Sequence, residues 1–143
     1  MSTFADTSFL ASLYLKDSHA EKASTIVQDC EFPFLLTPLI ECELENAFQL
    51  AFFRKEIGSA QLRAIRALFH DDKISGMYFE TGFPITVFGR ALRMVRKHTR
   101  HLGVRSLDIL QVACALEFKA KMFLTFDNRQ RALAIAERLQ VHS

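Results

Sequence analysis

The sequence has 143 residues, of which 50% are hydrophobic and 24% are charged, and its formal net charge is +2. These values are typical of a globular protein, and we expect one domain over residues 1–143. So small a net charge does not by itself indicate a nucleic-acid or membrane partner. No apolar run approaches 18 residues, which argues against a membrane-spanning helix, and the three cysteines form no CxxC or Cys/His cluster that would predict zinc. With no signal-type leader, we expect a cytoplasmic protein.

Apolar patterning predicts short strands that alternate with helices. Thr37-Pro38 marks a helix start, Gly103 ends a long helix, and Ser106 is expected to cap the next one. In chain order we predict a strand at 3–5, helices at 8–15 and 18–27, a strand at 32–36, a helix at 38–55, a helix from 59 onward, a strand at 74–79, helices at 85–101 and 107–119, a strand at 122–125, a helix at 129–139 and a short edge strand near 141. This alternation predicts an α/β fold: a mostly parallel sheet of four or five strands with helices on both faces.

Four carboxylates are expected at one edge of that sheet. Asp6 and Asp127 lie just past the carboxyl ends of two predicted strands. Asp108 lies near the start of a helix that leads into a strand, and such a helix begins at the same edge. Glu43 lies about six residues into a helix that leaves a strand, roughly 8–9 Å along its axis. Open α/β sheets bind ligands at this edge, so the four acids can converge on a site.

Helix phase distinguishes Glu43 from its acidic neighbours. At about 100° per residue, Glu43 falls on the apolar stripe that Ile40 and Leu44 define, whereas Glu41 and Glu45 fall on the opposite, solvated side. A carboxylate on a core-facing stripe is costly unless it has a partner such as a cation.

Each aspartate also has a purely structural interpretation. Asp6 and Asp127 could serve only as helix N-caps, and Asp108 could serve only to complement the helix dipole in a first turn. Together, however, four acids at one edge favour a site for a hard divalent cation, because Mg²⁺ and Mn²⁺ prefer oxygen ligands and the carboxylates would otherwise repel one another.

Four sequence blocks resemble the PIN-domain family, and most of all the VapC-type ribonuclease toxins of bacterial toxin–antitoxin pairs. The blocks span essentially the whole chain, and their order and spacing are specific: Phe4-Ala5-Asp6-Thr7-Ser8, Glu43-Leu44-x-Asn46-Ala47, Ser106-Leu107-Asp108-x-x-x-Val112-Ala113 and Leu124-Thr125-Phe126-Asp127-Asn128-Arg129-Gln130. The family's fold is a three-layer α/β/α sandwich around a parallel sheet, which agrees with the predicted elements.

The resemblance implies roles for particular residues. The family's acidic quartet, which holds Mg²⁺ or Mn²⁺, falls on Asp6, Glu43, Asp108 and Asp127, and hydroxyl positions that often line the site fall on Ser8 and Thr125. Some members carry a further carboxylate where this chain has Asn128 and Arg129. The implied activity is metal-assisted hydrolysis of RNA phosphodiester bonds, with inhibition by a cognate antitoxin and assembly into a homodimer.

A basic interval precedes Asp108, and between Glu80 and Asp108 there is no acidic residue. Its candidate RNA contacts are Arg93, Arg96, Lys97, Arg100 and Arg105. A basic face beside an acidic metal site suits an enzyme that acts on a phosphate backbone, although solvated charged faces are common on helices. His98 and His101, in the same interval, are expected to be surface residues.

The apolar residues Phe48, Phe52, Phe53, Leu62 and Phe69 also allow two interpretations. Core packing would account for most of them, and in the family this region commonly forms the dimer interface and the antitoxin groove. Two other functions compete with a nuclease. An aspartyl phosphotransferase would need a second acid where Ser8 stands, and a PIN-like scaffold would bind RNA or protein without cleavage.

Overall fold

The structure is a computed structural model that describes residues 3–142. Its elements are β1 (Thr3–Ala5), α1 (Thr7–Leu15), α2 (Ala20–Gln28), β2 (Phe34–Leu36), α3 (Pro38–Phe53), α4 (Ser59–Ile74), β3 (Tyr78–Glu80), α5 (Val87–Met94), a π-helical segment (Val95–Thr99), α6 (Arg100–Leu102), α7 (Ser106–Glu117), β4 (Met122–Leu124), α8 (Asn128–Ala136) and β5 (Gln140–Val141). Strands and helices alternate as the sequence predicts.

The five strands form one parallel sheet in the order β3-β2-β1-β4-β5. This confirms the α/β prediction and includes the short edge strand expected near residue 141. The chain moves from β1 to β2 and β3 on one side, then returns to place β4 on the other side of β1. The order therefore reverses between β1 and β4, and in open α/β sheets the crevice at such a reversal is where ligands bind.

Two groups of helices flank the sheet, which is the layered arrangement expected for this fold. Helices α1 to α4 contact one another, and so do α5 to α8. Between them lies a core of fully buried aromatic and aliphatic side chains. Phe4 of β1 and Phe123 of β4 stack with ring centroids 5.6 Å apart, which packs the two central strands side by side. Among residues 3–142, no helix is both long and apolar enough to cross a membrane.

Three helix starts show how far capping residues can be predicted. The Thr37 hydroxyl accepts a hydrogen bond from Ile40 N at 3.2 Å, as the Thr-Pro pair predicts. Asp6 and Asp127 also act as N-caps, for α1 and α8. The prediction for Ser106 is wrong, because Ser106 is already the first helical residue of α7, and the preceding Arg105 stands at the cap position without a side-chain hydrogen bond that caps the helix.

The segment around β3 differs from its predicted bounds. Ile74, expected in the strand, is the last residue of α4 and is 73% exposed. Gly76, with φ +92°, turns the chain in the left-handed region that glycine tolerates best, and the strand begins only at Tyr78. The apolar residues 74 and 77 made the strand seem longer, although the glycine between them marks the turn.

The long helix predicted at residues 85–101 is present but is not uniform. It begins at Val87, passes through the π-helical segment, and ends at Gly103 with φ +62°. His98, expected at the surface, is buried, and its Nε2 lies 2.7 Å from Glu137 Oε2. Because His98 lies four residues after the buried Met94, it continues the inward face of the helix, and the Glu137 carboxylate supplies the partner that a buried imidazole needs.

Candidate metal centre

Asp6 and Asp127 flank the crevice between β1 and β4. Asp6 directly follows β1, and its backbone N–H donates to Leu124 O at 3.0 Å, which extends the pairing of the two strands by one step. Asp127 follows β4 after two residues. The fold therefore places both carboxylates at the sheet edge where the strand order reverses.

The Asp6 carboxylate is buried and fully hydrogen-bonded. Its exposed fraction is 2%. Oδ1 accepts from Phe9 N at 2.9 Å and from Ser8 Oγ at 2.8 Å, and Oδ2 accepts from Thr125 Oγ1 at 2.5 Å. Burial raises the pKa of Asp6 to about 7, although hydrogen bonds from Thr125, Phe9 and Ser8 oppose the shift. The negative charge of Asp127 raises this pKa further, so the two carboxylates lie close enough to repel.

The hydroxyls of Ser8 and Thr125 join α1 to the loop after β4. The two oxygens are 3.3 Å apart. Ser8 Oγ accepts from Phe126 N at 3.1 Å, and Thr125 Oγ1 accepts from Asp127 N at 3.0 Å. Each hydroxyl therefore donates to Asp6 while it accepts from the Asp127 loop, which fixes the position of one acid relative to the other.

Glu43 reaches the site from α3 and is half-buried. Its Oε1 accepts hydrogen bonds from Gln111 Nε2 and, at 3.5 Å, from Thr7 Oγ1. Burial raises the pKa of Glu43, the hydrogen bond from Gln111 opposes the shift, and the negative charge of Asp108 adds to it. Glu43 therefore lies near a second acid of the quartet.

The neighbouring acids of α3 have other partners. Glu41 Oε1 forms an ion pair with Lys73 Nζ at 2.5 Å, and Glu45 Oε1 forms one with Arg66 Nε at 2.7 Å. Both cations lie on α4, so these glutamates link α3 to α4, whereas the sequence predicted only solvated charges. Helix phase correctly separates them from Glu43.

Asp108 lies in the first turn of α7, where Arg105 is its partner. Arg105 Nε donates to Asp108 Oδ2 at 3.3 Å, and Arg105 Nη2 lies 3.9 Å from Asp127 Oδ2. Burial raises the pKa of Asp108, the charge of Asp127 raises it further, and Arg105 lowers it. The guanidinium therefore contacts two acids at once and partly neutralises them.

These couplings connect all four acids, from Asp6 to Asp127, from Asp127 to Asp108, and from Asp108 to Glu43. Each carboxylate is held by its own hydrogen bonds or ion pair, and within residues 3–142 no three acidic, histidine or cysteine side chains are grouped closely enough to hold a metal ion as they stand. The donor chemistry nevertheless fits Mg²⁺ or Mn²⁺, because every donor is a carboxylate oxygen and three of the four acids have raised pKa values. A divalent cation would supply the positive charge that this edge lacks.

Two buried glutamines at the site were not predicted. Gln130, 1% exposed, donates from Nε2 to the backbone oxygen of Asp108 at 3.2 Å. Gln111, 2% exposed, contacts Glu43 and Thr7. The available signal was a lone amide in the otherwise apolar middle of α7, one turn after Asp108. Such a residue needs a polar partner from another element.

The basic residues proposed to contact RNA do not all lie near the acids. Arg105 contacts Asp108 and Asp127 directly. Arg93 and Lys97 share a helix face as predicted, but they line a cavity of about 210 Å³ with Glu137. Because Glu137 follows the last turn of α8 and Asp127 precedes its first turn, this cavity lies at the far end of that helix.

Arg96 and Arg100 are exposed, and so is Arg129, which the sequence pattern does not single out as an RNA contact. Arg129 follows Asp127 by two residues, and its Nη1 donates to Gly103 O at 3.4 Å. It therefore places a second guanidinium near the start of α8.

The apolar residues of α3 and α4 divide between the two interpretations. Phe48 is buried, and Leu62 and Phe69 pack against the core. Phe52 and Phe53 are 43% and 80% exposed. Core packing therefore accounts for three of the five, and the two exposed rings remain available for a partner.

Comparisons with known proteins agree with this arrangement. The family model described as PIN domain matches residues 3–136. Similar solved structures include the sarcin-ricin-loop-cleaving toxin VapC20 of Mycobacterium tuberculosis, with 18% identity, 91% of this chain and 93% of that one covered, and a TM-score of 0.68. They also include FitAcB from Neisseria gonorrhoeae, with 14% identity, 99% and 96% covered, and a TM-score of 0.69.

A third similar structure is VapBC2 from Rickettsia felis bound to a DNA fragment from their promoter, with 12% identity, 99% and 98% covered, and a TM-score of 0.69. At these identities the structural likeness establishes the fold alone. The comparison with curated proteins gave no match.

Proposed function

The chain belongs to the PIN domain family, and from that premise we propose that it is a metal-dependent endoribonuclease, the toxin of a toxin–antitoxin pair, built as one PIN-like domain over residues 1–143. One observation carries the proposal. Asp6 is buried beside Asp127 at the sheet edge where the strand order reverses, with a pKa raised to about 7 and both carboxylate oxygens held by hydrogen bonds. A buried acid with so strong a preference for a proton is also poised to accept a cation in the proton's place.

The quartet would hold the cation through Asp6, Glu43, Asp108 and Asp127. When bound, Mg²⁺ or Mn²⁺ supplies Lewis-acid chemistry: it makes water a stronger nucleophile near neutral pH and stabilises charge on phosphate oxygens. Ser8 and Thr125 hold the Asp6 carboxylate in one orientation, and Asp127 is fixed by its capping bond to Gln130 N at 2.9 Å. These residues prepare the ligand geometry before the substrate arrives.

RNA is the proposed substrate, and the basic side chains near the acids would bind its backbone. Arg105 contacts two acids of the quartet. In the sequence, Arg100 precedes Arg105 by five residues and Arg129 follows Asp127 by two. Arg93, Arg96 and Lys97 would extend the contact along α5 and the π-helical segment. A guanidinium can bind a phosphate with two parallel hydrogen bonds, which suits Arg105 to this role. The description of VapC20 as a toxin that cleaves the sarcin-ricin loop supports the choice of RNA.

A protein partner is also proposed. VapBC2 is described with bound promoter DNA, and we propose a cognate antitoxin for this chain by analogy with such toxin–antitoxin pairs. We further propose a homodimer. The exposed rings of Phe52 and Phe53 are apolar surface that such partners could cover.

The rival function is a PIN-like scaffold that binds RNA or protein without cleaving it. It draws support from the separation of the acids, since among residues 3–142 no three of them are grouped as a ready metal site. The raised pKa values of Asp6, Glu43 and Asp108 favour the nuclease, because a scaffold has no need to keep repelling carboxylates together.

Cleavage of RNA by the wild type and by Asp6→Asn distinguishes the two functions. We expect cleavage in Mg²⁺ or Mn²⁺, none in EDTA, and a large loss in Asp6→Asn, which keeps an equivalent helix cap. Cleavage that survives the substitution, or that proceeds fully in EDTA, would contradict the nuclease. RNA binding without any turnover in Mn²⁺ would favour the scaffold.

A further inference from the structure

Gln111 is a buried amide in an apolar stretch of α7. Its neighbours Ile109, Val112 and Ala113 are buried, and Gln111 itself is 2% exposed. A purely apolar side chain would pack here without any need for hydrogen bonds, whereas a buried amide is costly unless its polar atoms find partners. We therefore expect the Gln111 amide to hydrogen-bond a polar group of another element.

The hydrogen bonds of Gln111 satisfy Glu43 and Thr7, but they leave one polar atom of Gln111 itself without a partner in the described part of the chain. Its Nε2 donates to Thr7 Oγ1 at 3.0 Å and to Glu43 Oε1. Its Oε1 is buried with no hydrogen-bond partner in the part of the chain that the structure describes. The reverse orientation of the amide would place this carbonyl oxygen against the Glu43 carboxylate, so Glu43 determines which end of the amide faces it.

Gln130 offers a contrast at the same site. Its Nε2 donates to Asp108 O at 3.2 Å, and its Oε1 lies 3.3 Å from Thr125 Oγ1. Its donor therefore goes to a backbone oxygen, as expected of a structural link between α8 and α7. Gln111 instead directs its donor to a carboxylate of the quartet.

Among residues 3–142, hydrogen bonds reach only one of the two carboxylate oxygens of Glu43. Both of its hydrogen bonds, from Gln111 and from Thr7, end on Oε1. The Thr7 bond is long, at 3.5 Å, so Gln111 is the main restraint on this flexible side chain. Because Gln111 lies one turn after Asp108 on α7, that helix supplies one acid directly and holds a second acid from α3.

We infer that Gln111 is a positioning residue, which holds Glu43 by Oε1 so that Oε2 is presented to the cation. Gln111 thereby sets the affinity of the quartet for Mg²⁺ or Mn²⁺. The inference rests on the proposed metal-dependent function. Partners that orient a metal ligand typically affect metal affinity by about 10–100-fold.

The test is Mn²⁺ binding to the Gln111→Met variant, measured by titration calorimetry without RNA. Methionine keeps the length and fits an apolar helix, but it cannot donate to Glu43. We expect the Kd for Mn²⁺ to rise about 10–100-fold. In RNA cleavage, the Mn²⁺ concentration for half-maximal activity should rise similarly, while the rate at saturating Mn²⁺ should change less.

Tyr14→Phe is the matched control for the loss of a buried hydrogen bond. The Tyr14 hydroxyl bonds to Asp72 and Tyr78 near the end of α1 that is opposite Asp6. We expect this variant to keep its Mn²⁺ affinity within about twofold, since its hydrogen bonds involve no residue of the quartet.

Two results separate failure of this inference from failure of the proposed function. If folded Gln111→Met binds Mn²⁺ with wild-type affinity, or loses no more than Tyr14→Phe does, Gln111 is not a positioning residue, and metal-dependent cleavage by the wild type would still stand. If the wild type binds no Mn²⁺, the proposed function fails and the inference fails with it.

Discussion

The four acids form two pairs that the fold holds in different ways. Asp6 and Asp127 follow adjacent strands, and both are helix N-caps whose oxygens accept backbone N–H groups. Glu43 and Asp108 project from helices and depend on other side chains, Gln111 and Arg105, for their hydrogen bonds. We call these the strand-end pair and the helix-borne pair. Backbone N–H groups anchor both acids of the first pair, with added hydroxyl support for Asp6, whereas the second pair is held by side-chain partners.

Substitution of Asp127 gives the largest expected effect, because it changes the strand-end pair without changing the fold. Asparagine caps helices about as well as aspartate, so Asp127→Asn should unfold at nearly the wild-type temperature. Loss of a carboxylate that would hold the cation should reduce cleavage by about 100-fold or more, since even partners that only orient a metal ligand affect activity by about 10–100-fold. Initial rates in Mg²⁺ and thermal unfolding measure the two effects.

Asp127→Ala is the companion variant. It should lose the same activity and also about 1 kcal/mol of stability, because the cap is removed. Near-normal cleavage by Asp127→Asn would mean that this carboxylate only caps α8.

The pH dependence of stability isolates Asp6 within the strand-end pair. Its pKa rises from an ordinary 3.8 to about 7 in the folded protein, so between these values the folded state binds more protons than the unfolded state. The contribution of Asp6 to the stability of the metal-free protein should therefore be fully present below about pH 4 and should be lost as pH rises to about 7, a fall of about 4 kcal/mol.

Urea unfolding at a series of pH values measures this fall. Asp6→Asn should remove most of it, since asparagine does not titrate. The raised pKa values of Glu43 and Asp108 act in the same direction and should leave a smaller residual slope. A stability that rises over this pH range in the wild type would contradict a buried, proton-binding Asp6.

Paired threonine substitutions compare the supports of the two pairs. Thr125 donates to the buried Asp6 at 2.5 Å, whereas Thr7 donates to the half-buried Glu43 at 3.5 Å. Thr125→Val should lower the free energy of unfolding by about 1–3 kcal/mol, because a buried carboxylate then lacks one hydrogen-bond donor. Thr7→Val should lower it by less than about 1 kcal/mol. Urea unfolding of both variants at one pH tests the order, and equal costs would remove the distinction between the pairs.

Substitution of Arg105 gives the smallest expected change. It should strengthen Mn²⁺ binding but weaken RNA cleavage. Its guanidinium, with its side chain 76% exposed, contacts Asp108 and Asp127 and competes with a cation for them. Exposed ion pairs are worth about 0.2–1 kcal/mol, so Arg105→Gln should bind Mn²⁺ about 1.5–5 times more tightly. It should also cleave RNA less efficiently, since a phosphate contact is lost.

Lys97→Gln is the control for this prediction. Lys97 lies near Glu137 at the far end of α8, so its substitution should leave Mn²⁺ affinity unchanged. Weaker Mn²⁺ binding in Arg105→Gln would show that the guanidinium supports the site and does not compete with the metal.

The two pairs also differ in what the sequence could predict. The position of Asp6 and Asp127 at strand ends follows from the apolar runs before them, and their capping roles follow from the residue type. The phase of Glu43 follows from the helical period. The contact between Glu43 and Gln111 could not be derived in this way, because it joins α3 to α7 and depends on how the two helices meet.

Other differences have local causes. Residue type favours Ser106 as the cap of α7, whereas in the structure Arg105 stands at the cap and its side chain reaches Asp108. His98 is expected at the surface because a metal-dependent site needs no histidine base, whereas its spacing from the buried Met94 places it on the inward face of the helix. In both cases the side chain contacts a carboxylate, Asp108 for Arg105 and Glu137 for His98, and the local pattern does not identify that partner.

The central claim is that the four acids form one cation site at the β1–β4 crevice. Anomalous diffraction from crystals grown with Mn²⁺ tests it most directly. We predict one or more Mn²⁺ peaks at this edge, with at least one bonded to the Asp6 carboxylate, and loss of that peak in Asp6→Asn. Absence of any peak beside Asp6 at saturating Mn²⁺, or a peak confined to another part of the molecule, would contradict the claim.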